Sequence, residues 1–198
     1  MIGGVILAAG QSSRMGRPKA LLVHRDGATS FVRYAMTQAA LAGVDILVVV
    51  GREEDVALKR EVGAAGRFVT NPQPDRGQLS SLLAALDVLE NEQGVEAMMV
   101  LPVDVPLISA DVMRTVIAAA RATTAPIVRA VHHGAHGHPV IFKRELFEEL
   151  RGADPAVGAK AVVRADPNRV IDVEVDDPGV ISDVDTPDDY HRLFGRCL

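Results

Sequence analysis

The chain has 198 residues, 48% hydrophobic and 24% charged, enough for one well-buried core, and no linker-like stretch divides it, so a single domain over residues 1–198 is expected. A formal net charge of -5 sets any cationic cluster against an acidic background, which argues against a nucleic-acid partner. The single cysteine, Cys197, cannot close an internal disulfide, no segment has membrane-spanning length, and the apolar start lacks a positive leader. A cytoplasmic setting with no membrane attachment is expected.

Apolar runs of strand length at 4–7, 46–50, 67–70, 97–101 and 126–131 alternate with segments of helical period. That alternation predicts an α/β fold, a mostly parallel sheet covered by helices, with ligands beyond the carboxyl ends of the strands. The first run opens directly into Leu7-Ala8-Ala9-Gly10-Gln-Ser-Ser-Arg14-Met-Gly16-Arg17-Pro-Lys19. Its glycines favour a loop whose amides converge on an anion, and three cations supply charge that a plain turn does not need, so the segment reads as a polyphosphate loop. It is not Walker A, because five residues separate Gly10 from Gly16 and Arg17-Pro18 follow; nor is the second glycine of the dinucleotide fingerprint present.

Farther along, Phe31, Val32, Ala35, Met36, Ala39 and Ala40 mark one face of a helix that Ser30 can cap and Gly43 can end. After the third strand, Asn71-Pro72, Gly77, Ser80 and Ser81 lead into a helix with Leu79, Leu82, Leu83, Leu86 and Leu89 on one face. These polar residues suit a base edge or a ribose, and they are equally ordinary turn and capping chemistry. The fourth strand ends in Leu101-Pro-Val-Asp104-Val-Pro106-Leu107, an acid held between two prolines. A carboxylate there favours a hard divalent cation, the alternative being hydrogen bonds from the amides of the next helix, which Ser109 can cap.

His132-His133-Gly134-Ala135-His136-Gly137 reads as a turn between two strands, the second at 139–142, which adds an antiparallel part to the sheet. Zinc is not expected at His132, His133, His136 and His138: no cysteine or acid lies in that stretch, and Gly134 and Gly137 read as a flexible loop. Helices at 144–150 and 155–164 and a strand at 170–175 follow. In Ser182-Asp183-Val184-Asp185-Thr186-Pro187-Asp188-Asp189, Thr186 is the expected N-cap and Pro187 the first helical residue. Asp185 is thereby left for a metal, and Asp183, pointing the other way along an extended segment, is the second choice. Helix capping explains this segment about as well as metal binding does.

Residues 7–22, Leu101-Pro-Val-Asp-Val-Pro106, Gly137-His138-Pro139-Val140 and Asp183–Asp189 together resemble the molybdenum cofactor nucleotidyltransferases, most closely the cytidylyltransferase branch, in the family's order and over essentially the whole chain. The resemblance implies a Rossmann-like three-layer α/β/α fold of the nucleotide-diphospho-sugar-transferase type, with a mostly parallel mixed sheet. It implies a magnesium-dependent transfer of CMP from CTP to the phosphate of a molybdopterin-type cofactor, with release of pyrophosphate and a recipient molybdoenzyme as a further partner. Carried over, Leu7, Ala8, Ala9, Gly10, Arg14 and Lys19 contact the nucleotide, joined by Asn71, Gly77, Ser80 and Ser81. Arg14, Lys19 and Asp104 are catalytic, Asp104 and Asp185 hold Mg2+, and Gly137, His138 and Pro139 help form the acceptor pocket. Leu-Ala-Ala-Gly fits the CTP branch, the guanylyl branch more often reading Leu-Ala-Gly-Gly, a difference that leaves GTP open. The alternatives are transfer to another phosphorylated acceptor and a non-catalytic carrier that hands the cofactor to a molybdoenzyme.

Overall fold

The computed structural model describes residues 1–197. Seven strands, β1 (Ile2–Leu7), β2 (Ile46–Gly51), β3 (Arg67–Thr70), β4 (Ala97–Pro102), β5 (Ile127–His132), β6 (Ala135–Lys143) and β7 (Val170–Glu174), form one sheet in the order β3-β2-β1-β4-β6-β5-β7. Only β6 runs against its neighbours; every other pairing is parallel. The helices are α1 (Phe31–Leu41), α2 (Val56–Val62), α3 (Gln78–Glu90), α4 (Ala110–Ala122), α5 (Phe147–Arg151), α6 (Lys160–Ala165) and α7 (Pro187–Phe194). None of the helices described is long and apolar enough to cross a membrane.

The two-residue alternation of the strands splits the core into two faces. Ile2 and Ile6 of β1 with Met99 and Leu101 of β4 pack under α1, α2, α4 and α7, while Val5, Leu7, Met98 and Val100 face α3, α5 and α6. Because the inner strands are covered on both sides, they read in sequence as unbroken apolar runs. From β1 the chain moves outward through β2 and β3, then returns to the other side of β1 as β4. The crevice at such a reversal is where open sheets of this kind bind ligands. Register brings three chain exits to one level there, since Leu7 pairs with both Val50 and Pro102.

Four local features differ in detail from the sequence reading. Helix α2 was not legible, being seven residues long with only Leu58 and Val62 buried. The helix expected at 155–164 starts at Lys160, because Asp154 caps the amide of Ala156 at 2.9 Å and Gly158 takes a φ of +75°, which closes a separate turn first. The turn expected between two strands at 132–137 is present but shorter, a two-residue hairpin turn at His133 (φ 49°) and Gly134 (φ 78°) of the kind that matches strand twist. Gly137 lies inside β6, where a Cβ would fall 2.4 Å from the Val180 carbonyl oxygen, so the strand passes against the 3-10 turn Pro178–Ile181 only because position 137 has no side chain.

Candidate active site

A cleft of about 950 Å³ opens at the carboxyl ends of β1, β2 and β4. Of the predicted residues, Leu7, Ala8, Ala9, Gly10, Lys19, Gly77, Ser81 and Asp104 line it. The loop after β1 turns at Ser12, a non-glycine residue with a φ of 51°, and at Gly16 with a φ of 69°. Ser12 holds the turn in two ways: its carbonyl accepts from the amides of Met15 (2.9 Å) and Gly16 (3.1 Å), and its hydroxyl accepts from the amide of Lys19 at 3.1 Å. Gly10 takes no left-handed conformation, contrary to the expectation that its backbone requires glycine; a Cβ there would meet nothing within 4 Å and would project into open space. Among the described residues, the amides of Gly10, Gln11, Ser12 and Ser13 donate to no group of the chain. Four such amides beside cationic side chains form a ready anion cradle.

Lys19 is the centre of the charged cluster. Its ammonium, on a side chain only 13% exposed, lies 3.2 Å from Asp104 Oδ2 and 2.5 Å from Asp185 Oδ1. Arg14 reaches Asp185 Oδ2 at 3.0 Å. The two carboxylates come from separate parts of the chain, Asp104 after β4 and Asp185 before α7, and a backbone bond joins their segments, the amide of Val184 donating to the carbonyl of Asp104 at 2.8 Å. Thr186 and Asp189 cap α7 reciprocally, as the sequence predicts, so the Asp185 carboxylate is not consumed by the cap. Its bond to Lys19 holds Asp185 below the usual carboxylate range. Burial, with the nearby charges of Asp104 and Asp185, pushes the Asp183 carboxyl up.

Other predicted residues sit elsewhere. Asn71 is buried, its amide nitrogen donating to the hydroxyls of Ser80 (2.8 Å) and Ser81 (2.9 Å) and its oxygen accepting from the amide of Gln73. Ser80 also donates to a backbone carbonyl, so Asn71 and Ser80 are spent on shaping the entry to α3. Gly137, His138 and Pro139 lie in β6, one strand beyond β4. His138 feels the charge of Asp104, yet burial drives its pKa down to about 4, and its Nδ1 is buried with no partner.

Arg52 was missed. It leaves the end of β2, its Nε donates to the Ala9 carbonyl at 2.9 Å, and its Nη2 reaches Asp75 at 3.1 Å, where Gln11 also donates. It thus lines the cleft and braces the phosphate loop from the side opposite Lys19. The one sequence signal was its place directly after a buried strand.

A family model described as MobA-like NTP transferase domain matches residues 4–170, most of the elements that build this cleft. The chain belongs to the MobA-like NTP transferase domain family. Among the relatives of this NTP transferase domain is the molybdenum cofactor cytidylyltransferase of Escherichia coli (strain K12), 24% identical over 94% of the chain and 92% of that protein. The probable molybdenum cofactor guanylyltransferase of Rhodopirellula baltica is 32% identical over 64% of the chain, a match spanning 59% of that relative's length. Among solved structures, Rv0371c from Mycobacterium tuberculosis H37Rv superposes with a TM-score of 0.83 at 28% identity over 98% of both chains. A second structure of that protein, in complex with manganese, gives 0.75, also at 28% identity over 98% of both chains. The three-layer fold with a mixed, mostly parallel sheet is therefore the architecture that the sequence predicts.

Proposed function

We propose that the chain is a magnesium-dependent nucleotidyltransferase that moves CMP from CTP to the phosphate of a molybdopterin-type cofactor and releases pyrophosphate. The observation that carries this reading is the meeting of Lys19, Asp104 and Asp185 at the mouth of a loop with free amides. Both carboxylates already hold a cation between them, the Lys19 ammonium, so the donor set suits a hard divalent ion bound by two acids and substrate phosphate oxygens. Such an ion would neutralise charge on the triphosphate. The manganese complex named for Rv0371c agrees with a divalent requirement.

The chain's own residues then have distinct tasks. The amides from Gly10 to Ser13 seat the triphosphate, Asp104 and Asp185 would hold the ion, and Lys19 supplies positive charge beside the reacting phosphoryl group. An acceptor phosphate oxygen attacks the α-phosphorus as the bond to the bridging oxygen of pyrophosphate breaks. A phosphate is nucleophilic at neutral pH, so alignment and charge, rather than a general base, carry the reaction. His138, held neutral and within reach of the charge of Asp104, and Pro139 would help form the acceptor pocket.

For the base, the Leu7-Ala8-Ala9-Gly10 start of the cleft loop supports CTP as the first reading. The guanylyltransferase name of the Rhodopirellula relative supports GTP as the second reading. Incubation with molybdopterin, Mg2+ and each of CTP, GTP, ATP and UTP in turn, with products identified by mass, tests both. The expected product is the cytosine dinucleotide; a guanine product would replace the first reading by the second, and no product with any nucleotide would favour a carrier.

A further inference from the structure

The cleft leaves the histidine-rich end of β5 unexplained. There His132 Nδ1 lies 2.9 Å from the Val175 carbonyl, and as this contact is a hydrogen bond, Nδ1 carries the proton and Nε2 presents its lone pair outward. His133, the first residue of the hairpin turn, is exposed, and its ring stands 4.2 Å from that of His132. The acid that the local sequence lacks arrives just past the paired strand: β7 runs parallel to β5, Asp172 and Glu174 are exposed on it two residues apart, and Asp176, also exposed, follows two residues beyond its end. Asp172 is taken by Arg129 in a two-pronged bond and Glu174 by the amide of His133. Asp176 has no hydrogen-bond or ion-pair partner among the described residues, and one ligand atom from each of His132, His133 and Asp176 lies within 4.8 Å of the others.

We infer that His132, His133 and Asp176 form a site for a borderline divalent metal ion of the zinc class. Two imidazoles and one carboxylate are the ligand types that such ions prefer, and three protein ligands leave one position open to solvent. Ligand atoms of a tetrahedral zinc site stand about 3.4 Å apart, so closure needs shifts of roughly 1 Å, within reach of exposed side chains. The Val175 carbonyl orients the first imidazole as an outer-shell partner does. The two-residue turn and β5 fix the backbones of His132 and His133, and Asp176 follows two residues after the last pair of the β5–β7 ladder, Val131 with Glu174. Since β6 stands between β4 and β5, the site lies about 10 Å to the side of β4, the strand that leads into Asp104, a distance of two strand spacings. It is separate from the magnesium carboxylates, and its ion would tie the hairpin to the segment after β7.

Zinc titration of the full chain against a chromophoric chelator tests this, in a background carrying Asp104→Asn and Asp185→Asn, to silence the cleft acids, and Cys197→Ser, to remove the Cys197 sulfur 4.0 Å from His191. One equivalent of Zn2+ is expected, with affinity falling at least tenfold on Asp176→Asn and on His133→Asn, a residue that tolerates the turn conformation. Cobalt substitution is expected to give the visible absorption of a four-coordinate site, lost in the same two variants. Failure to bind an equivalent in that background, or an affinity that neither variant changes, overturns the site.

Discussion

At the scale of single residues the cleft is a competition for cations. Lys19 satisfies two acids at once, and under the proposed function a divalent ion would compete with it for them. Lys19→Ala is therefore expected to slow turnover by about a hundredfold, as loss of a charge partner for the transition state does, while Mg2+ binding to the free chain does not weaken. Pyrophosphate release and direct metal titration separate the two effects, and undiminished release would remove Lys19 from the chemistry. Asp183 and Asp185 differ in sign. The folded state raises the Asp183 carboxyl, so its ionisation costs stability once pH passes the ordinary value near 3.8, in full above the raised value. Asp183→Asn is expected to raise the melting temperature at neutral pH, the gain vanishing below about pH 4, the ordinary aspartate range. A gain that persisted in acid would show that its cause is not the charge.

At the scale of elements, α7 and β6 each carry a structural device that bears on the site. The reciprocal cap of Thr186 and Asp189 fixes the start of α7, and Asp185 is the residue just before it. Thr186→Ala is expected to cost about 1 kcal/mol in urea unfolding and also to weaken Mg2+ binding, since the acid loses its anchor. A stability loss with unchanged metal affinity would uncouple cap from site. On β6, His138 is neutral in the folded protein down to about pH 4, against 6.5 for the free group. A depressed imidazole value stabilises the fold above 6.5, and that contribution drains away as pH falls toward 4, on the order of 3 kcal/mol in all. His138→Gln should flatten that acid-side slope; a slope that survives would assign it to other groups. These elements also mark what sequence can and cannot reveal. Strands β1 and β4 were legible because burial on both faces leaves an uninterrupted apolar signature, and the α7 cap because its residue types stand at fixed spacing. Helix α2 and the 3-10 turn at Pro178–Ile181 were not, being too short for a period to register.

Over the whole molecule, the charged cluster was legible as separate motifs, but its assembly depends on long-range pairing that no local pattern encodes. Lys19 and Asp185 are 166 residues apart, and Arg52 braces Ala9 across 43. The same holds for His132 and Asp176, which only the parallel β5–β7 ladder joins. One sheet carries every one of these connections, and both core faces run its length: the face under α1 includes residues from Ile2 to Phe194. Neither layer can dissolve without exposing the other side of the same strands. Unfolding is therefore expected to be a single cooperative transition, although the chain exceeds the size for which this is routine. The two tyrosines provide a one-sided probe, because Tyr34 stacks on His24 with ring centroids 3.8 Å apart and Tyr190 on Phe194 at 5.1 Å, both on the α1 and α7 side. Far-UV circular dichroism reports the helices of both layers. Urea curves from tyrosine absorbance and from circular dichroism should coincide in midpoint and slope; an early loss of ellipticity with the tyrosine signal intact would mean that the α3, α5 and α6 layer melts by itself, and that the chain is not one folding unit.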